Sequence, residues 1–569
     1  MSDPVEPPVA GSAQDDQPPQ VAPAGPDASA GPSLTRATAV MSVGTAMSRL
    51  TGFVRLAVMA WAIGGTETKL PDTYNLANSL PNIVYQLVLG EILATVFVPI
   101  FVEYIKTRTR EESARLASTI LGIAFWVAAA FSAITILLAP WIIKIYTFGI
   151  DDPATRLRQE EVGAFLLRLF MPQMIFYATG AVLTGLLNAH RRFSAPMFAP
   201  VLNNLIVVAT FVAFRMKNGD VVPDLTSLSF ADKMLLGGGT TLGVIVMTLV
   251  LWPFVLRLRA GYRLGGIEWR HPAIRHVGRL ARYSFGYIIV NQIGLWIVYA
   301  LANGAATPGG VTAYNSSWIL YQLPYGIFAV SIMTFLVPRL AEHHVAGDLA
   351  GMRADVSLGV RASSFIVLPA AAGLIALSQP LIRLLLEHGV FSSASTALFA
   401  DTFVLMTLGL GAYTWFQLIT RAFYAMQDTR TPWRVNIATV GALILAAPPL
   451  FAVMGIKGLG LAHAIQYLTG AIVGGVILRR RLGGIDGRRL LSSHTRIAIA
   501  SAATGIAAWA IARALEQALD VTKIGAQLVQ VGTAVVAGLV LYVALARALK
   551  IEESKPLLEI VGSRFRRKR

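Results

Sequence analysis

From residue 38 to about residue 550 the chain alternates long apolar stretches with short polar segments. A helix needs about 20 apolar residues to cross the hydrocarbon core of a bilayer, and a window of that size gives about fourteen spans here. Those carrying notable polar residues cover roughly 38–63, 72–102, 162–188, 280–303, 310–338 and 396–424, and the last two lie near 495–515 and 525–549. Lipid offers no hydrogen-bond partners to a peptide group, so this pattern predicts an all-α integral membrane protein. An even number of spans puts both termini on the same side. The first 37 residues, rich in Pro, Ala, Gly and Asp and lacking an apolar core, read as a disordered tail.

The polar residues inside the spans carry the functional signal. The first span contains Ser48-Arg49-Leu50-Thr51-Gly52-Phe53-Val54-Arg55. At about 100° per residue, Thr45, Ser48, Gly52 and Arg55 share one helical face, with Arg49 on its flank. A guanidinium at membrane depth costs a few kcal/mol or more unless it faces a wet, protein-lined interior, so Arg49 and Arg55 read as a cationic cavity wall. The competing account is that both snorkel to a membrane surface. In the second span Asn75, Asn78, Asn82 and Tyr85 recur at helical spacing, with Glu91 further along. Such a stripe either lines a cavity or hydrogen-bonds to a neighbouring helix. Glu91 suits pairing with an arginine or a protonatable coupling role. The seventh span adds Tyr287, Asn291 and Gln292, and the eighth adds Asn315, Tyr321, Gln322 and Tyr325.

Composition agrees: 55% of residues are hydrophobic and only 14% charged, in a chain of 569. The net charge of +17 would suggest nucleic acid if it formed one patch, but it is dispersed over short loops. Lys106, Arg108 and Arg110, then Arg191 and Arg192, Arg257 through Arg279, Arg430 and Arg434, Arg479–Arg481 with Arg488 and Arg489, and Arg564 through Arg569 all follow even-numbered spans. The positive-inside rule then places both termini in the cytoplasm, in contact with membrane lipids and not nucleic acid. There is no cysteine, which excludes disulfides, thiolate metal sites and a cysteine nucleophile. No phosphate-binding loop, paired metal-ligand histidines or Gly-x-Ser-x-Gly elbow occurs. His343-His344 reads as solvated, and Asp401 and Glu387 as isolated. The chain is expected to be no enzyme and to carry no cofactor or metal.

The sequence also repeats itself. Tyr74-Asn75, Leu80-Pro81 and Val98-Pro99 recur as Tyr314-Asn315, Leu323-Pro324 and Val337-Pro338, and the segment 188–196 is echoed by 424–432. Six spans separate the copies, so the halves are parallel repeats with a site expected between them. The expected organisation is a tail at 1–37, a six-helix lobe at 38–257, a basic linker at 258–279, a second six-helix lobe at 280–480, two further helices within 481–550 and a basic tail at 551–569. The two pseudo-symmetric lobes would surround a central cavity.

Taken together, the Ser48–Arg55 stretch, Leu80-Pro81-Asn82 with Phe97-Val98-Pro99, the Asn188–Pro200 segment, His388-Gly389-x-Phe391 and Phe423-Tyr424-x-x-Gln427-Asp428-x-x-Thr431-Pro432 resemble MurJ/MviN-type lipid II flippases of the MOP exporter superfamily. The resemblance covers about residues 38–550. It implies alternating access around a cationic cavity that takes the diphosphate and sugars of lipid II, a polyprenyl-diphosphate-linked glycopeptide, in support of the peptidoglycan polymerase machinery in the cell membrane. Arg49 and Arg55 match cavity arginines of the family, and Asp72 matches an aspartate that helps close an outer gate. The sequence departs from the family where further arginines are replaced by Tyr85, Ile319 and Gln417, and Glu91 stands one position from the family glutamate. Sodium binding in the second lobe of some relatives uses acidic ligands, and residues 432–478 contain no Asp or Glu. A flippase for another polyprenyl-linked saccharide, and a non-transporting scaffold, remain open alternatives.

Overall fold

A computed structural model describes residues 32–86, 107–190, 192–258, 261 and 272–554; among them the chain is helical, with no strand. The first half comprises α1 (Pro32–Ile63), α2 (Leu70–Tyr85), α3 (Arg110–Thr147), α4 (Pro153–Phe170), α5 (Gln173–Ala189), α6 (Ser194–Asn218), α7 (Phe230–Leu249) and the short α8 (Trp252–Leu256). The second comprises α9 (Pro272–Asn303), α10 (Gly310–Pro324), a π-helical turn at Tyr325–Ala329, α11 (Val330–Val345), α12 (Leu349–Ala376), α13 (Ser378–Leu386), α14 (Ser393–Thr407), α15 (Leu410–Ala425), α16 (Arg430–Met454) and α17 (Ile456–Leu482). Two more helices, α18 (Gly487–Ala518) and α19 (Ile524–Ala548), follow.

Twelve helical stretches are long and apolar enough to cross a membrane, or thirteen when α14 and α15, bent by 46° at a short break, are joined. The remaining expected span is the second, of which α2 is the described part; residues 87–102, including Glu91, lie outside the described residues. Local chemistry sets the boundaries. Thr109 and Ser229 form reciprocal capping boxes with Glu112 and Asp232, and Asp152, Asp348 and Ser392 cap α4, α12 and the Ser393 helix, each satisfying a first-turn N–H.

Packing separates the halves. In the first, α1 lies along α6, α6 along α7, α3 along α4 and α5, and α2 along α4. In the second, α17 is central, against α14, α15 and α16, with α9 on α16 and α10 on α14. The α18–α19 pair lies against α12. The repeat seen in sequence is also a repeat of geometry. Helices α6 and α16 both have 25 residues and end at glycines with nearly the same backbone, Gly219 at φ 66, ψ −144 and Gly455 at φ 64, ψ −144. Their separation, 455 − 219 = 236, is the offset read from the 196/432 prolines. Large apolar side chains such as Leu137, Trp141, Leu445 and Val536 cover the outside, as a lipid-facing belt requires.

The loops at one end hold the arginine clusters, including Arg192, Arg257, Arg430 and Arg479–Arg481; we call this the basic end. The opposite end holds the loops near residues 64–69, 148–152, 219–229, 304–309 and 387–392.

Candidate functional site: the contact between the halves

At the opposite end the halves meet through α2 and α10. Asp72 is fully buried in the first turn of α2. Its Oδ2 accepts the Gly309 N–H at 2.8 Å, and its Oδ1 accepts the Thr312 N–H at 2.9 Å and the Thr312 hydroxyl at 2.8 Å. The carboxylate thus takes up donors at the start of α10 that have no partner within the helix, where the helix dipole favours negative charge. Asn75 donates to the same Thr312 hydroxyl at 3.1 Å. Tyr74 and Tyr314 are repeat mates, so Asp72 and Thr312, each two residues earlier, are mates as well. The contact therefore joins equivalent positions of the two halves.

Flanking contacts complete the closure. Lys69 donates to the Asn303 and Ala305 carbonyls at 3.0 and 3.2 Å, and burial holds its ammonium below its ordinary range. Glu67 accepts the Ser392 N–H and the Ser395 hydroxyl, both at 2.8 Å, and the Gly65 N–H. Burial pushes its carboxyl up, but these donors outweigh that and hold it below the usual carboxylate range. Gly309, at φ 92, lies so close to the 64–69 loop that a Cβ there would sit 2.6 Å from the Gly65 carbonyl oxygen. Further round, Gln159 donates to Asn303 at 2.7 Å, and Asn303 donates to the Tyr146 carbonyl at 3.0 Å. The opposite end is sealed along α1, α2, α3, α4, α9, α10 and the 387–395 loop.

The predicted arginines lie below this seal. With a rise of about 1.5 Å per residue, Arg55 is about 12 Å and Arg49 about 21 Å from the α1 end at Ile63. On α2, Asn78 comes level with Arg55, and Asn82 and Tyr85 approach the level of Arg49. Arg55 is half-buried, and its field reaches the hydroxyls of Tyr74 and Tyr177. Tyr177 in turn packs its ring 6.0 Å from that of Tyr85. Arg49 is exposed and reaches across to the second half, its Nη2 3.5 Å from the Gly326 carbonyl in the π turn. A Cβ on Gly326 would lie 2.5 Å from Arg49 Nη1, so the close approach depends on glycine. Ser48 is half-buried, and its carbonyl accepts from Asn204 at 3.2 Å. Gln292 on α9 keeps a buried Oε1 with no partner.

By helix rise, Arg49 and Arg55 on α1 thus share one depth range with Asn78, Asn82 and Tyr85 on α2. The structure puts Asp72 and Asn75 in the seal. Sequence reasoning passed over Arg421. It stands one helical turn beyond Gln417 on α15, within hydrogen-bonding reach of the Tyr325 hydroxyl and close enough to act on Tyr413, to which Gln417 donates at 3.0 Å. The signal was present, an arginine one turn from the expected position near a span end, but end position alone suggests snorkelling. Two other expectations need correcting. His343 is not simply solvated, because it lies 2.9 Å from Asp348 and 3.3 Å from Asp355. Asp401 and Glu387 are not isolated, since Lys457 and Arg383 stand 3.6 and 3.9 Å from them. No group of three potential metal ligands occurs among the described residues.

Comparison with known proteins gives a consistent result. The family model described as "Lipid II flippase MurJ" matches residues 59–527. A probable lipid II flippase MurJ of Rhizobium meliloti (strain 1021) is 29% identical over 447 residues, covering 78% of this chain and 80% of the relative. Its counterpart in Thermotoga maritima is 26% identical over 528 residues, covering 92% and 99%. Among solved structures, a lipid II flippase MurJ in an inward closed conformation superposes with a TM-score of 0.70 at 20% identity, over 90% of this chain and 99% of the other. An inward-facing multidrug resistance MATE family transporter of the MOP superfamily gives 0.61 at 15% identity, over 77% and 98%.

Proposed function

The chain belongs to the lipid II flippase MurJ family, and from that premise we propose that it carries lipid II from the cytoplasmic to the outer leaflet by alternating access. The observation that carries this reading is the placement of two arginines of one helix, Arg55 and Arg49, about 12 and 21 Å below a closure built from repeat-related residues. A diphosphate cannot cross hydrocarbon bare. Guanidinium forks pair its oxygens in a bidentate manner, while Asn78, Asn82, Tyr85 and Gln292 offer neutral hydrogen bonds to sugars. The polyprenyl chain stays in lipid throughout.

The basic end faces the cytoplasm by the positive-inside rule, so both termini are cytoplasmic and the Asp72 contact is the outer gate. In this arrangement the closed outer gate admits lipid II from within. Arg49, held near the Gly326 carbonyl, would exchange a weak neutral acceptor for phosphate, and α1 would then release α10. The two lobes, at about 38–257 and 280–480, would rock against each other, breaking and remaking the Asp72–Thr312 contact, with the α18–α19 pair outside that movement. Membrane lipids and the wall-synthesis machinery are the partners this role calls for.

The test is lipid II exposure in cells whose only flippase is this chain or its Arg55→Ala variant, read with a membrane-impermeant enzyme that cleaves lipid II from outside. Cleavage with the parent and its loss in the variant, at equal membrane levels, supports the cationic-site mechanism. No cleavage with the parent rules out lipid II as cargo. Equal cleavage keeps the cargo and removes Arg55 from the site.

A further inference from the structure

The repeat that pairs Tyr74 with Tyr314 gives the two tyrosines different partners. In the first half the Tyr74 hydroxyl meets the Thr240 hydroxyl at 2.7 Å, and Thr240 also bonds the Leu236 carbonyl at 2.7 Å. In the second half the Tyr314 hydroxyl meets Nδ1 of His463 at 2.9 Å. His463 is buried on α17, about 10 Å below the outer end of that helix at Ile456. Its Nε2 is buried with no hydrogen-bond partner, as is the hydroxyl of Tyr321, whose ring centroid lies 5.4 Å from that of His463. Trp318 and Tyr467 close the cage at 5.0 and 4.9 Å.

A neutral imidazole cannot satisfy this site. If Nδ1 accepts from Tyr314, Nε2 carries an N–H with no acceptor; if Nδ1 donates, Nε2 is a lone pair with no donor. Either way one buried polar atom stays unpaired, a cost that the hydroxyl pair of the first half avoids. Such a cost is retained where another state of the molecule removes it. Opening the outer gate draws α10 from α2 and wets the outer third of α10 and α17, which satisfies Nε2 and lets it take a proton.

We propose that His463 is a proton-binding site of the second lobe, empty when the outer gate is sealed and filled when it opens. The ligand is the proton itself, entering from outside and released when the gate reseals and dehydrates the cage. The groups around it are Tyr314 and Tyr321 on α10, Tyr413 and Arg421 on α15, Tyr287 and Tyr299 on α9, and Tyr467 on its own helix. On α14 Asp401 faces Lys457 at the outer rim, and α16 and α12 bring only Arg430, Arg434, Arg353, Asp355 and Arg361 at the cytoplasmic end. No described carboxylate touches the imidazole. Of the groups named, His463 is the one imidazole, and its unpartnered Nε2 is the atom left to take the proton.

This inference rests on the alternating-access reading, but its test needs no lipid. The native chain has no cysteine, so nitroxide labels at Val221→Cys on a loop of the first lobe and Ala394→Cys in the first turn of α14, both exposed at the gate end, report the gate in lipid nanodiscs. Lowering the pH from about 8 to about 5.5 spans the ordinary histidine range, and should raise the long-distance population about fivefold or more, the size of a typical coupling. His463→Gln should hold the distribution found in the parent at high pH. An unresponsive parent overturns the proposal, and so does an equal response in His463→Gln, which would place the titrating group elsewhere in the gate. Should His463→Gln not fold, Tyr314→Phe keeps the imidazole but changes its partner. Its midpoint must then move, and an unmoved midpoint overturns the proposal. If the pH response holds while lipid II exposure fails, the proton site stands and only the cargo is wrong.

Discussion

Replacing Asp72 by alanine tests the outer gate most directly. The substitution removes the acceptor of three bonds and leaves the Gly309 and Thr312 N–H groups at a helix start, where no intrahelical carbonyl can replace it. Each orphaned buried donor costs about 1–3 kcal/mol, and relief from burying a carboxylate offsets part of the total. A net loss of about 2–3 kcal/mol in the sealed state moves the sealed-to-open ratio by about 30- to 150-fold. The assay uses a single Asn78→Cys reporter, about 9 Å deeper on α2 than Asp72, and a membrane-impermeant maleimide added from outside. The Asp72→Ala reporter should label faster by up to that factor, with Asp72→Asn in between because its amide oxygen still serves Thr312. A labelling rate indistinguishable from that of the parent would refute the gate.

Other expectations follow from single contacts. Arg421→Ala should lower lipid II exposure as Arg55→Ala is expected to, whereas Arg430→Ala, in the first turn of α16 at the basic end, should leave it unchanged. Gly326→Ala intrudes on the Arg49 guanidinium; it should reduce flipping while leaving the melting temperature close to the parent's, because the flexible end of Arg49 can move aside. Glu67→Gln should weaken the gate in the labelling assay above. Because the Glu67 carboxyl is depressed in the folded state, its contribution is complete above the ordinary carboxylate range and lost only as pH falls through the depressed value, so between about pH 5.5 and 8 it adds no slope. Gly455→Ala meets no neighbouring atom but forces a side chain into glycine-only backbone, so it should cost about 1–3 kcal/mol of stability, read by thermal unfolding.

The fold was legible because a bilayer imposes length and polarity on every span. Arg49 and Arg55 were legible for the same reason: a charge inside an apolar window has to be explained. Asp72 was different. Its position at a span end says nothing of the Gly309 and Thr312 donors, which lie 237 and 240 residues away. Only the family pattern suggested a gate. Arg421 and His463 were hidden for complementary reasons. The first sits where a loop arginine is ordinary, and the second is a single ring in an apolar helix whose missing partner shows only after packing. Pattern finds misplaced charge, but it does not find an unsatisfied neutral group.

That distinction bears on how the transporter is driven. Parallel repeats make the two lobes equivalent at each end, so symmetry alone would give both lobes the same part in loading and closure. The symmetry is broken at three places. Asp72 meets Thr312 where its mate has no carboxylate, so the outer closure has one charge-assisted clamp. The arginines of α1 have no counterpart pair on α9 among the described side chains, so the proposed site takes two arginines from the first lobe and Arg421 from a different helix of the second. Thr240, which satisfies its tyrosine, is answered in the second lobe by His463, which does not. On the proposed function the first asymmetry would stabilise the state that loads from inside, the second would set how the lobes share the substrate charge, and the third would give the opposite state a ligand from outside. Asp72→Ala, Arg55→Ala and His463→Gln test them separately.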